Sequence, residues 1–261
     1  MAQSILKSML RKFGYEVTRA PRSGVAFPRD PLEAQQRLLR DMETQAPLIF
    51  DIGAHKGQTA KEYRALFPDA AIYCFEPFPE SIASIKEKLS GDDGVKIVAK
   101  AVADRAGRAT FYVNEFAPTN SLLPRPTSER RYFPSHAGPK TTIEVETITL
   151  DEFVTSEQIA DPSILKIDVQ GGELMAFQGA TKLLERGSVP LIYTEIAFVP
   201  HYENSPLLHD LWTFLARYGY TLFDIYELSR ASNGQLRFGN ALFVSDAVRK
   251  NVINARYPEE P

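Results

Sequence analysis

Two rhythms of hydrophobic and polar positions run along this chain: short apolar runs of strand length, and longer stretches with apolar residues three and four apart. Ile5, Leu6, Met9, Leu10 and Phe13 recur at helical spacing among Lys7, Arg11 and Lys12, which predicts a basic amphipathic helix. Prolines 21, 28 and 31 then make a loop, and a second helix is expected from about Leu32 to Thr44. The apolar run from Leu48 ends in Asp51 and reads as a buried parallel strand. A glycine-bearing turn leads from it into a helix, about Gln58 to Phe67. Further strands are predicted at Ala71–Glu76 and Val95–Val102, around a helix from Glu80 to Leu89. Ala109–Val113 and Thr142–Ile148 alternate as two more strands, flanking a long polar segment, Asn114–Lys140. Beyond them come a helix at Leu150–Gln158, started by Thr149 or Asp151, and a strand at Ile164–Asp168. A helix from about Glu173 to Glu185, a strand at Leu191–Glu195 and a helix around Leu207–Tyr218 follow. The pattern closes with a hairpin, Thr221–Tyr226 and Leu242–Val244, about the turn Ser232–Gly234.

Strands alternating with helices require an α/β fold, a mainly parallel sheet with right-handed crossovers. The final hairpin adds an antiparallel edge pair. No internal repeat, low-complexity tract or second core is evident, so the 261 residues read as one domain behind an N-terminal helical extension (1–46), with a short tail at 251–261.

Composition narrows the class of partner. With 44% hydrophobic and 24% charged residues the chain is an ordinary globular protein, and a formal net charge of -3 supplies no field for nucleic acid. No apolar run has the length of a membrane span. The N-terminus lacks an uninterrupted apolar region and an A-x-A cleavage site, so a cytoplasmic location is expected. The basic helix is expected to dock on its own domain or on a partner subunit of a homo-oligomer, with peripheral membrane contact as the alternative. The single cysteine, Cys74, lies in an apolar strand and reads as a core residue.

The candidate chemistry starts in FDIGAHKGQT. Gly53 lets a ligand lie against the main chain, and the helix after Gly57 offers unpaired N–H groups to it. The spacing is G-x-x-x-G, which lacks the G-x-G-x-x-G needed to seat a dinucleotide pyrophosphate. An NAD-dependent oxidoreductase is thereby disfavoured. Asp51 would repel a diphosphate but suits a positive amino group, such as that of S-adenosylmethionine. Glu76 closes the next strand about 25 residues on, near the separation at which a carboxylate reaches a ribose. Asp104, in AVADRAG, is placed either to read an adenine amino group or to form a turn before Gly107. The polar segment, with Asn120, Ser121, Arg125, Arg130, Arg131, Tyr132 and His136, is expected to be a lid or binding insertion facing an acceptor, unless disordered.

FDIGAHKGQT, CFEPFPES, AVAD, LKIDVQGGELMAFQGATKLL and a strand ending in TE together resemble the FkbM family of S-adenosylmethionine-dependent methyltransferases, from about Leu48 to Glu195. The resemblance implies a Rossmann-like class I methyltransferase fold over residues 47–250, with seven strands and a C-terminal antiparallel hairpin. It implies Asp51 and Gly53 on the methionine side of the cofactor, in a loop that also holds Ala54, His55, Gly57 and Thr59. Glu76, Pro77 and Phe78 are placed at the ribose, Ala103 and Asp104 near the adenine, and Ser121 and Asp168 complete the set. Relatives often carry Asn at the position of His55 and Glu at that of Gln170. The activity implied is O-methylation of a hydroxyl on a small molecule or carbohydrate, such as a glycan.

Methyl transfer from a sulfonium is an in-line displacement that needs the acceptor oxygen held close and its proton removed. Asp168, Glu195 and His201 are the expected catalytic residues, delivered beyond the carboxyl ends of the strands together with Tyr202. Asp168 and Glu195 end neighbouring strands in this reading and could alternatively clasp Mg²⁺. His136 and His209 are weaker candidates, the latter expected to be helical and partly buried. The rival from another class is a non-catalytic cofactor-binding or scaffold subunit, which would bind S-adenosylmethionine and transfer nothing.

Overall fold

A computed structural model describes residues 27–126 and 139–257. The basic helix predicted at Ile5–Phe13, and Arg130, Arg131, Tyr132 and His136, lie outside the described residues. The strands are β1 (Leu48–Ile52), β2 (Ala71–Phe75), β3 (Val95–Val98), β4 (Ala101–Val102), β5 (Gly107–Asn114), β6 (Pro139–Ile148), β7 (Ile164–Ile167), β8 (Leu191–Ala197), β9 (Thr221–Arg230) and β10 (Leu236–Val244). Seven of them form one sheet in the order β3-β2-β1-β7-β8-β10-β9. All neighbours are parallel except the pairs made by β10, which runs antiparallel to both β8 and β9. This is the class I methyltransferase arrangement, with the last hairpin folded back so that its second strand lies inside its first.

The apolar runs of the inner strands are buried on both faces because helices cover both. Phe50, Ile52, Leu165, Ile167 and Ile192 pack on one side, and Ile49, Ile164, Leu191 and Tyr193 on the other. The second side is closed by the helix Pro31–Asp41, whose Leu38 and Leu39 are fully buried and are each worth about 1.5–3 kcal/mol of burial. That helix is started by Asp30, whose carboxylate accepts from the N–H groups of Leu32 and Glu33, and it packs on the helix Gln58–Leu66 through a Tyr63–Gln35 hydrogen bond of 2.8 Å. At the other end of the chain Tyr257 bonds to Asp41 and to Arg37, and Val252 is buried. Segments on both flanks of the sheet thus share its core. Among the described residues no helix is long and apolar enough to cross a membrane.

Two expected elements are broken. The single strand predicted at Val95–Val102 is two, because the chain turns at Ala99–Lys100 (Lys100 N–H to Val98 O, 2.8 Å) and β4 leaves the main sheet to pair with β6. The result is a second sheet, β4-β6-β5, with a small core of its own around Phe78, Phe111, Val113 and Val145. The helix predicted from Glu173 to Glu185 is also two, Glu173–Gln178 and Thr181–Glu185. Gly179 packs directly on the main chain of Ala103, where a Cβ would stand 2.1 Å from the carbonyl oxygen. The Asp151 carboxylate accepts from the N–H groups of Lys182 and Leu183 and so starts the second piece, while Thr149 caps the helix Leu150–Glu157.

Candidate active site at the strand tips

A cavity of about 380 Å³ opens over the carboxyl ends of β1, β2 and β7, within the range of small-ligand sites. Its walls are mostly apolar, with Ile52, Phe75, Val102, Phe111, Pro118 and Leu122, and carry a few polar groups: His55, Thr59, Glu76, Lys100, Asn120, Lys166, Asp168 and Gln170.

The turn after β1 is set by backbone. Gly53 and Ala54 donate to the Phe75 carbonyl, and Gly53 holds φ +76°. A Cβ on Gly53 would lie 1.9 Å from the Asp168 carbonyl oxygen, so the missing side chain makes room for the neighbouring strand end as well as for a ligand. Asp51 is fully buried and does not line the cavity. It faces Lys166, its register partner on β7, with Nζ 2.9 Å from Oδ1, and the same ammonium donates to the Gly53 carbonyl at 3.2 Å. Burial works against the Lys166 charge, but Asp51, Asp168 and Glu195 outweigh it and hold the ammonium protonated. The expectation that Asp51 meets a cofactor amino group finds it off the cavity wall, where it anchors the lysine that pins the glycine turn.

Glu76 does face the cavity. Its Oε2 accepts from the N–H of His55 at 2.8 Å and its Oε1 from that of Phe78 at 2.9 Å. Burial raises its proton affinity to a pKa of about 7, against the two backbone donors that favour the anion. A carboxylate offers about four acceptor sites, so two bonds leave capacity for a vicinal diol. His55, in a left-handed conformation with φ +48°, lines the same wall, and its Nε2 is buried with no hydrogen-bond partner among the described residues. A partly spent carboxylate and an unpartnered ring nitrogen on an apolar cavity fit a nucleoside ligand.

The other predicted cofactor residues divide. Gly53, Ala54, His55, Thr59, Glu76, Pro77 and Asp168 line the cavity. Gly57, at φ +76°, starts the helix Gln58–Leu66 and faces Ile85 and Leu89. Phe78 belongs to the small core, and Ser121 is buried behind the wall formed by its neighbours Asn120 and Leu122. Ala103 is buried under Gly179 and Asp104 is exposed, because the break before β4 brings Lys100, Ala101 and Val102 to the cavity in their place.

At the tips of β7 and β8, Asp168, Glu173 and Glu195 converge, with one carboxylate oxygen from each within 4.8 Å of the others. Gln170, at φ +57°, ties them: its Nε2 donates to Asp168 Oδ1 at 2.8 Å and to Glu195 Oε2 at 3.0 Å. Its Oε1 lies 3.0 Å from the Tyr202 hydroxyl, and its carbonyl accepts from Ser121 Oγ at 2.7 Å. Glu173 accepts from the N–H groups of Val169 and Gly171. Burial first, then the Asp168 and Glu173 charges, push Glu195 well above the usual carboxylate range, and burial lifts Glu173 to about 7. With the Gln170 amide already donating to two of its members, the trio is not arranged to take a divalent cation between them.

The histidines fall away from this cluster. His201 lines neither cavity at the strand tips; it is buried against the Phe238 ring at 5.6 Å, and burial with Arg237 and Arg125 nearby lowers its pKa to about 4. So weak a proton acceptor, off both cavity walls, is poorly suited to the catalytic role expected of it. His209 is helical, as expected, but exposed. Cys74 is buried, and its thiol is held far above its usual range by burial. Sequence reasoning missed Lys166 and the tying role of Gln170. The signal for the first was a lysine inside the apolar run ILKI, opposite an equally anomalous Asp51.

A domain model described as Methyltransferase FkbM domain matches residues 51–222, more than half of the chain. Among curated proteins, the chain is 27% identical over 207 residues to the 2-O-methyltransferase NoeI of Sinorhizobium fredii, a match covering 76% of this chain and 80% of that protein. It is 24% identical over 161 residues to the hexuronic acid methyltransferase AglP of Haloferax volcanii, covering 61% of this chain and 60% of that one. Among solved structures it superposes on a precorrin-6y C5,15-methyltransferase from Geobacter metallireducens at 15% identity and a TM-score of 0.44, covering 85% of this chain and 93% of the other.

Proposed function

The chain belongs to the FkbM methyltransferase family and is an S-adenosylmethionine-dependent methyltransferase, and from that premise we propose that it methylates a hydroxyl of a carbohydrate or carbohydrate-like small molecule. The observation that carries this reading is Asp168, a carboxylate on the cavity wall backed by two further acids with raised proton affinity. The named activities of the two relatives, 2-O-methylation and hexuronic acid methylation, favour the same acceptor class.

When bound, S-adenosylmethionine supplies an activated methyl group on a sulfonium. The residues divide the remaining work. Glu76 accepts hydrogen bonds from the ribose diol, and His55 offers its unpartnered ring nitrogen to the same ligand. Lys166, held by Asp51, fixes the Gly53 turn beneath it. Asp168 orients the acceptor hydroxyl and accepts its proton as the oxygen attacks, and Glu173, raised by burial to about 7, is the neighbouring carboxylate able to take that proton on. Gln170 holds Asp168 and Glu195 in place.

The test is incubation of the full chain with methyl-labelled cofactor and glycan fractions, alongside the variant Asp168→Asn. Label transferred to an alkali-stable methyl ether by the wild-type chain but not by the variant is expected. Cofactor binding without transfer to any hydroxyl acceptor would instead identify a non-catalytic subunit.

A further inference from the structure

Beside the cofactor cavity lies a second one of about 520 Å³, on the face of the sheet covered by the helices Pro31–Asp41 and Gln58–Leu66. The two cavities share Thr59, Lys166 and Asp168 as a common wall. We propose that this second cavity is the acceptor site, and that its chemistry selects a neutral or cationic polyol, such as a hexoside or amino sugar, and rejects a carboxylated or phosphorylated one. The inference rests on the reading of the chain as a hydroxyl methyltransferase and names the acceptor that the reading leaves open.

Position is the first argument. In-line transfer needs the acceptor oxygen beside the cofactor methyl group but outside the nucleoside's own space. A separate cavity meeting the first at Asp168, the proposed proton acceptor, meets that requirement. The far wall is polar and already ordered: the Tyr193 hydroxyl donates to Glu227 Oε2 at 2.9 Å, and Asn240 Nδ2 donates to the same oxygen. Glu227 takes a left-handed conformation, φ +52°, next to a register shift in the β9–β10 hairpin. Carboxylates and a side-chain amide accept from hydroxyls, and a vicinal diol can donate to one carboxylate twice.

Charge is the second argument. Among the described residues, Asp30, Glu33, Glu62, Asp168 and Glu227 line the cavity, against one cation, Lys166. That ammonium is already committed to Asp51 at 2.9 Å. Among the described lining residues a uronate or phosphate meets several like charges, and the one lining cation is already paired, whereas hydroxyls and an ammonium meet acceptors. The expected acceptor thus differs in charge from the one named for the Haloferax volcanii relative.

The experiment measures transfer from labelled cofactor to a methyl hexoside, its 2-amino analogue and its uronate analogue, with S-adenosylhomocysteine affinity followed by calorimetry. The neutral and amino sugars should be methylated, and the uronate should show kcat/KM at least about 10-fold lower at low salt, the gap narrowing as salt screens it. Glu227→Gln and Tyr193→Phe should raise KM for the hexoside several-fold with S-adenosylhomocysteine affinity unchanged, and Glu62→Lys, on an exposed helix face, should narrow the gap against the uronate. Equal or better use of the uronate, or an unchanged hexoside KM in Glu227→Gln and Tyr193→Phe while transfer persists, overturns the acceptor site and leaves the methyltransferase reading standing. No transfer to any of the three sugars by a chain that binds S-adenosylhomocysteine overturns the carbohydrate reading itself.

Discussion

Two pairs of neighbouring strands present acids at the same level of one sheet, and they do different things with them. At β1 and β2 the acids are kept apart: Asp51 is buried and neutralised by Lys166, and Glu76 faces the cavity with a backbone N–H on each oxygen. At β7 and β8, Asp168, Glu173 and Glu195 crowd together about Gln170, and the charges of their neighbours add to burial in raising Glu195. An isolated, backbone-held carboxylate is a fixed acceptor suited to recognising a ligand. A crowded set shares fewer protons than it has sites and is suited to moving one.

Variants of the two pairs should fail in different measurements. The largest effect belongs to Asp168→Asn, expected to lower kcat by about 10²–10⁴-fold with S-adenosylhomocysteine affinity nearly unchanged, as separate kinetic and calorimetric measurements would show. Equal losses in both would merge the two pairs into one binding site. Glu76→Ala comes next: cofactor affinity should fall by about 10–100-fold, the range of hydrogen bonds to a charged group, while kcat at saturating cofactor is largely kept.

A pH series sharpens the same contrast. With a pKa of about 7, the free Glu76 carboxyl is protonated at lower pH and must lose that proton to accept from a diol. The dissociation constant for S-adenosylhomocysteine should therefore rise toward tenfold per unit as pH falls below about 7, and be flat above it, with Glu76→Gln removing the slope. Gln170→Glu removes the shared amide donor and adds a fourth carboxyl group to the trio; a shift of the kcat–pH profile to higher pH with less than about tenfold loss at its maximum is expected. The smallest effect is assigned to His201→Ala, which should leave turnover within about threefold, since a group so weakly basic and off the cavity wall contributes no proton transfer.

Much of this molecule was legible along the chain. The alternation of strands and helices, the hairpin at the end, the Gly53 turn and Glu76 at a strand tip all follow from local periodicity and from what glycine and a terminal carboxylate can do. Where an apolar run continued through a break, it misled: Val95–Val102 reads as one strand, yet β6 captures its second half. Asp104 lost its place in the site through that event, and Ala103 became a packing surface for Gly179.

The sequence by itself determined most of the elements, their order and the family's chemistry, because apolar spacing, turn residues and motif separations are local properties of the chain. Only the tertiary structure decided which charges meet. Asp51 and Lys166 are 115 positions apart and pair because β1 and β7 lie side by side. Asp168, Glu173 and Glu195 become one cluster only when the fold brings their strand ends together and Gln170 holds two of them. His201, expected from the sequence as a catalytic residue, is made a weaker base by the same force acting in the other direction: desolvation disfavours whichever form carries the charge, raising Glu195 and Glu173 and lowering the histidine.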